Sequence, residues 1–160
     1  MSELKLAACI IVSRPGPTTD TEREILLVKR AKNLSFMGGY YVFPGGRVSR
    51  ADHTLASHAD LDDGAQRSAA LREVFEETGL LLGTHQVSTE EKQKLRQQLP
   101  ENDNAWIKFQ QASPEPLFID GLNLLTTWVT PACIPQRYQA NYYLYELSRD
   151  IDVEVCNGEI

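Results

Sequence analysis

Glu73, Glu76 and Glu77 are spaced i, i+3 and i+4. On a helix that spacing projects all three carboxylates from one side. Carboxylates crowded together repel one another. Their place near the C-terminal end of the segment adds the negative end of a helix dipole. Positive charge brought among them relieves both penalties, and an oxygen-only donor set suits a hard cation such as Mg²⁺. A cation held there neutralises phosphate oxygens and lowers the pKa of water, which is the chemistry of phosphoanhydride hydrolysis. The plain alternative is a solvated acidic face on a surface helix. No Ser-His-Asp or Cys-His constellation competes for the chemistry.

The element that must carry these groups is a helix over residues 65–78, with Leu71, Val74, Phe75 and Thr78 on its inward face. Asp63 and Gln66 have capping-box spacing at its start, and Gly79 is placed to end it in a left-handed conformation. Strands are expected at residues 4–12, 25–31, 40–43, 124–130 and 142–147, and one more over 151–155. Pro44-Gly45-Gly46 stops the third. Residues 47–64 read as a loop with at most one helical turn. Residues 88–99 and 103–111 read as helices, the second anchored by Trp106 and Phe109. Strands and helices interleave without a βαβ rhythm, so the expected fold class is α/β of the α+β type, built on a mixed sheet.

The stretch Arg72-Glu73-Val74-Phe75-Glu76-Glu77-Thr78-Gly79-Leu80 resembles the core of the Nudix box, G-x5-E-x7-R-E-U-x-E-E-x-G-U with U apolar, at all seven specified positions. Phe43-Pro44-Gly45-Gly46 resembles the segment that opens the box. The chain departs from the pattern in between. Five residues after Gly46 stands Asp52 where the pattern has Glu, and 19 residues separate it from Arg72 where the pattern has seven, an insertion of 12. The resemblance implies a Nudix fold, an α/β/α sandwich, with Glu73, Glu76 and Glu77 as ligands of Mg²⁺ or Mn²⁺. It implies that Arg72 holds the glutamates by charge-assisted hydrogen bonds, against the alternative of an ordinary surface arginine. Gly45 and Gly46, with Arg47 beside them, would let the backbone approach a pyrophosphate, unless the glycines merely form a turn. Asp52 is left open between supporting the helix start, coordinating through water, and doing nothing.

The split box is similar to the branch that includes peroxisomal coenzyme A diphosphatases and bacterial relatives. So are Trp128-Val129-Thr130-Pro131 and the following Pro135-x-Arg137. Where that branch continues with an Arg-Phe-Asp-Thr-Arg-Phe-Phe-like strand, this chain has Arg137-Tyr138-Gln139-Ala140-Asn141-Tyr142-Tyr143. The expected substrate is a small nucleoside-diphosphate derivative, coenzyme A or acyl-coenzyme A first. The alternatives are an ADP-ribose or dinucleotide pyrophosphatase, and a binding or scaffold domain with little turnover.

The remaining candidates read plainly. His53, His58 and His85 are scattered loop or surface histidines. Trp106, Trp128, Tyr142, Tyr143 and Tyr145 read as core before base-stacking platform. Lys29, Arg30, Arg47 and Arg137 read singly as surface charges.

With 160 residues the chain is expected to be one domain, residues 1–160, carrying the insertion at about 47–64 and a helical excursion at about 88–111. A net charge of −6 argues against nucleic-acid and membrane partners. Cys9, Cys133 and Cys156 have no CxxC spacing, which fits a reducing, cytoplasmic setting. Leu6-Ala7-Ala8-Cys9 has too little chain before it for a signal peptide and reads as a buried first strand. Related domains continue past a Gly-Glu like Gly158-Glu159 with a Trp-bearing strand and a closing helix. Ending at Ile160, this chain is expected to lack both, as a natural short form or a fragment. That would leave one sheet face to a homodimer partner or to the helices at 88–111.

Overall fold

The computed structural model describes residues 3–19, 21–33, 37–57, 61–83, 87–112 and 121–147. The organising strand is β1 (Leu4–Pro15), whose β-branched and apolar residues alternate between two faces. Ala8, Ile10 and Val12 point into the core, all at 2% exposure or less. One edge of β1 pairs in parallel with β7 (Arg137–Glu146), from Leu4↔Arg137 to Ser13↔Glu146. The other edge pairs antiparallel with β5 (Gly45–Arg47) and, at its far end, with β2 (Arg23–Ile25). Strand β6 (Asn123–Val129) pairs antiparallel with β7, giving the order β2-β1-β7-β6. Two short strands, β3 (Val28–Lys29) and β4 (Tyr41–Val42), form a separate ribbon. The sheet is mixed, as the interleaved elements implied.

Among the described residues four helices accompany it: α1 (Arg50–Ala56), α2 (Gly64–Thr78), α3 (Thr89–Gln98) and α4 (Asn104–Ala112). Helix α2 lies against β1 and buries Leu71, Val74, Phe75 and Thr78, the face its periodicity marked. Leu95 and Leu99 from the α3 end, and Ala105 and Trp106 from α4, join Val74, Phe75, Ile10 and Tyr143 in one core. Phe75, Trp106 and Phe109 stack in sequence, with centroids 6.2 and 5.8 Å apart.

Several expectations change. Residues 47–64 are not simply a loop. Ser49 and Asp52 form a reciprocal capping box, satisfying two orphan amides at the start of α1. The box expected at Asp63 and Gln66 does not form, because Asp63 is committed elsewhere. It pairs with Arg67 at 2.7 Å and accepts from the Tyr143 hydroxyl at 2.9 Å. Gly79 does cap α2 in the left-handed conformation, at φ 72. The run 25–31 divides between β2 and β3. The third strand does end before Pro44, at Val42, but Gly45 and Gly46 then open β5. Residues 13–15 continue β1 because β2 hydrogen-bonds to them. Strand β7 begins earlier than residue 142, because its N-terminal half finds partners on both β1 and β6.

The helices at 88–111 pack on the α2 side, so among the described residues none covers the opposite face. There Trp128 is 66% exposed, correcting its reading as core, whereas Trp106 and Tyr143 are buried. The expected strand at 151–155, the Gly158-Glu159 terminus, His58, His85 and Cys156 lie outside the described residues.

Candidate active site

Helix α2 is buried on more sides than an amphipathic surface helix. Beyond its apolar face it also buries Gln66, Ser68, Arg72 and Glu77, because α1, β5 and β1 all contact it. The polar residues must therefore find partners within the protein. Asp52, fully buried, is the hub. It accepts from the Ser49 amide at 2.8 Å, from the Ser68 hydroxyl at 2.8 Å, and from Arg72 through Nε at 3.3 Å and Nη2 at 3.0 Å. The open question about Asp52 resolves geometrically: it caps α1 and anchors Arg72.

Arg72 extends that network to the glutamates. Its Nη1 lies 2.9 Å from Glu73 Oε1 and 3.4 Å from Glu76 Oε2, and its Nη2 donates to the Arg47 carbonyl at 3.0 Å. Arg72 is not a surface arginine. Burial alone would lower its pKa, but Glu73, Asp52 and Glu76 together outweigh that and raise it. Burial pushes Glu73 up to about 7, against the downward pull of Arg72. Ionised Glu73 is thus under-compensated, and added positive charge beside it is favourable.

The two glycines owe their identity to close approach. A Cβ at Gly46 would fall on the Glu73 carboxylate, and one at Gly45 would stand 2.8 Å from Cys9 Cα and closer still to the Ala8 carbonyl. Gly45 also donates its amide to Glu77 Oε2 at 3.2 Å. Strand β5 is therefore threaded between β1 and the glutamates, a role that neither a turn nor phosphate contact anticipated. Arg47 lines a polar cleft of about 550 Å³ together with Glu73, Arg72, Lys5 and His53. Lys29 lies over the Tyr41 ring, and Arg137 Nε donates to the Thr130 carbonyl.

Spacing alone did not point to two of these partners. Arg96 of α3 donates to the carbonyls of Glu76 and Glu77 at 2.9 and 3.0 Å, a cation at the C-terminal end of α2. Ser68 donates to Asp52. Both pairings cross 16 or more residues, so no local signal marks them.

The donor chemistry fits a hard divalent cation: three carboxylates, one with its charge under-compensated, and glycine where a side chain would collide with the Glu73 carboxylate. Among the described residues, however, no three acidic, histidine or cysteine side chains gather around one point. Magnesium is commonly held by one or two carboxylates, with water and substrate phosphates completing the octahedron. The pair Glu73 and Glu76 meets that requirement.

On the far face of the sheet an apolar cavity of about 630 Å³ is lined by Trp128, Tyr142, Tyr41, Leu27 and Cys9. Trp128 and Tyr142 are in tilted contact, with centroids 5.8 Å apart. Gly45 lines this cavity while giving its amide to Glu77, so β5 connects the aromatic and acidic sides. Among the described residues no helix is long and apolar enough to cross a membrane.

The NUDIX domain pattern matches residues 4–128. A Caenorhabditis elegans protein carried under the name nudix hydrolase 7 is 31% identical over 162 residues, covering 99% of this chain and 50% of its own length. The chain thus spans about half of that curated relative. A NUDIX hydrolase from Alicyclobacillus acidocaldarius has a similar structure, with TM-score 0.85 and 25% identity, over 99% of this chain and 77% of that one. The NUDIX domain of Shewanella oneidensis NrtR, in complex with ADP ribose, shares the fold alone. Its TM-score is 0.54 at 12% identity, covering 99% of this chain and 70% of that one.

Proposed function

The chain belongs to the Nudix family, and from that premise we propose that it hydrolyses the phosphoanhydride bond of a nucleoside-diphosphate derivative. The carrying observation is the fit of β5 to the glutamates: Gly46 lets the Glu73 carboxylate sit directly against the backbone, and the Gly45 amide donates to Glu77. Nudix enzymes generally use a divalent metal. Glu73, Glu76 and Glu77 would hold it here, Mg²⁺ or Mn²⁺. Once bound, it supplies charge neutralisation at the phosphates and acidifies water.

The protein's own groups do the rest. Arg72 orients Glu73 and Glu76, and Gly45 orients Glu77. Arg47 adds positive charge to the cleft beside Glu73 and attracts the diphosphate. One glutamate accepts a proton from water as its oxygen attacks phosphorus. The bridging P–O bond breaks, leaving two phosphate-bearing fragments.

The substrate reading is coenzyme A or an acyl-coenzyme A. It rests on the split box, the segment from Trp128 to Arg137, and the aromatic cavity, which suits a base or an extended apolar arm. ADP-ribose and dinucleotides are the alternatives. The chain acts as a single domain in this reading. A binding domain with little turnover has one observation in its favour, the lack of a ready three-ligand cluster among the described residues.

The test is a screen with Mg²⁺ or Mn²⁺ across coenzyme A, acetyl-coenzyme A, ADP-ribose, NADH and dinucleoside polyphosphates. Cleavage of coenzyme A that stops on chelation is expected. Preference for ADP-ribose with coenzyme A untouched overturns the substrate reading. Binding without turnover for every compound selects the non-catalytic one.

A further inference from the structure

A continuous buried chain of hydrogen bonds runs from the helical excursion to the glutamates. Trp106 of α4, 1% exposed, points its indole Nε1 at Ser68 Oγ at 3.4 Å. Indole is a donor only, so Ser68 accepts there and its own proton goes to Asp52 Oδ1 at 2.8 Å. Ser68 and Asp52 are both fully buried. Asp52 in turn takes Nε and Nη2 of Arg72, leaving Nη1 for Glu73 and Glu76.

The charges give this arrangement a consequence. Arg72 carries one positive charge and lies between three carboxylates. If Asp52 balances it, Glu73 and Glu76 keep two negative charges for an incoming cation. If Asp52 is held less well, Arg72 swings toward the glutamates and competes with the cation for them. Ser68 is the neutral donor that keeps Asp52 fully solvated by protein, and so keeps Arg72 turned toward Asp52.

We propose that Ser68 is a positioning residue for the metal-binding carboxylates, acting through Asp52 and Arg72 and oriented from α4 by Trp106. The proposal rests on the reading of Glu73 and Glu76 as cation ligands. It makes the helical excursion part of the site's support, although α4 supplies no group to the carboxylates directly.

The experiment measures Mn²⁺ binding to the whole chain by calorimetry, with metal-free thermal unfolding alongside. The proteins are the native chain, Ser68→Ala, Ser68→Cys and Ile10→Val. Ile10→Val trims the same core, and an aliphatic side chain takes no part in the hydrogen bonds of the polar chain. Ser68→Ala is expected to weaken Mn²⁺ binding about tenfold, as for loss of a partner behind a metal ligand. Ser68→Cys keeps the volume with a weaker donor and should fall between. It also serves as the test if Ser68→Ala does not fold. Ile10→Val should lower the unfolding temperature with unchanged Mn²⁺ affinity. Native binding with equal affinity in the Ser68 variants overturns the role of Ser68 alone. Equal weakening in Ile10→Val shows that the effect is general destabilisation and likewise overturns it. No Mn²⁺ binding by the native chain instead overturns the cation-site reading on which the proposal stands.

Discussion

The two faces of the central sheet treat their functional side chains in opposite ways. On the α2 face, Asp52, Ser68, Arg72 and Glu77 are at 6% exposure or less, and each has protein hydrogen-bond partners. On the other face Trp128 is 66% exposed and Leu125 53%. The acidic cluster is over-determined: each of these four side chains met a fixed partner on leaving water, so function and stability share the same residues. The aromatic side is bound by no such requirement. Its residues meet mostly solvent, and their value lies in what they contact later.

This contrast fails or sharpens with four substitutions, in descending order of expected effect. Asp52→Ala removes the counter-charge of a buried arginine and should cost about 3 to 5 kcal/mol of stability, read from the urea midpoint. A loss no larger than that of a surface carboxylate would mean that the polar side is not over-determined. Glu77→Gln keeps the shape and removes one charge. Turnover with Mg²⁺ should fall about a hundredfold or more, and full activity in a folded protein would remove Glu77 from the site.

Gly46→Ala puts a methyl group where the Glu73 carboxylate sits. Mn²⁺ affinity should drop about tenfold, and calorimetry showing native affinity would mean that Glu73 is not a ligand. Trp128→Ala should leave unfolding within about 0.5 kcal/mol of native, as for other exposed positions. Its KM should nevertheless rise about tenfold with kcat little changed, in line with the loss of one stacking contact. A large loss of stability would place Trp128 in the core after all, and an unchanged KM would take the aromatic cavity out of substrate binding.

The uneven legibility of the sequence follows the same division. The glutamate helix was readable because its information is local: spacing puts Glu73, Glu76 and Glu77 on one side and Val74 and Phe75 on the other, and Gly79 ends it. Helix α1 reads from sequence as no more than one turn in a loop because residues 47–64 show little apolar periodicity. Its start is set by the Ser49 and Asp52 capping box, and its single large payload, Asp52, is polar. The Asp63 cap failed because a competing partner, Tyr143, lies 80 residues away. Trp128 was misread because an aromatic residue in a strand has the same local signature whether or not a layer covers it.

From residue types and spacing alone came the family resemblance, the mixed α+β class, the helix with its acidic side, and the glycine pair beside it. Those properties depend on neighbours within a turn or a strand. Tertiary structure decided why Gly46 must be glycine, that Asp52 anchors Arg72 across the insertion, that Arg96 and Ser68 support the site, and which aromatics stay exposed. Each of these is a pairing between groups brought together by burial, and the need to satisfy a buried polar atom or fill a space acts only once the distant segments meet.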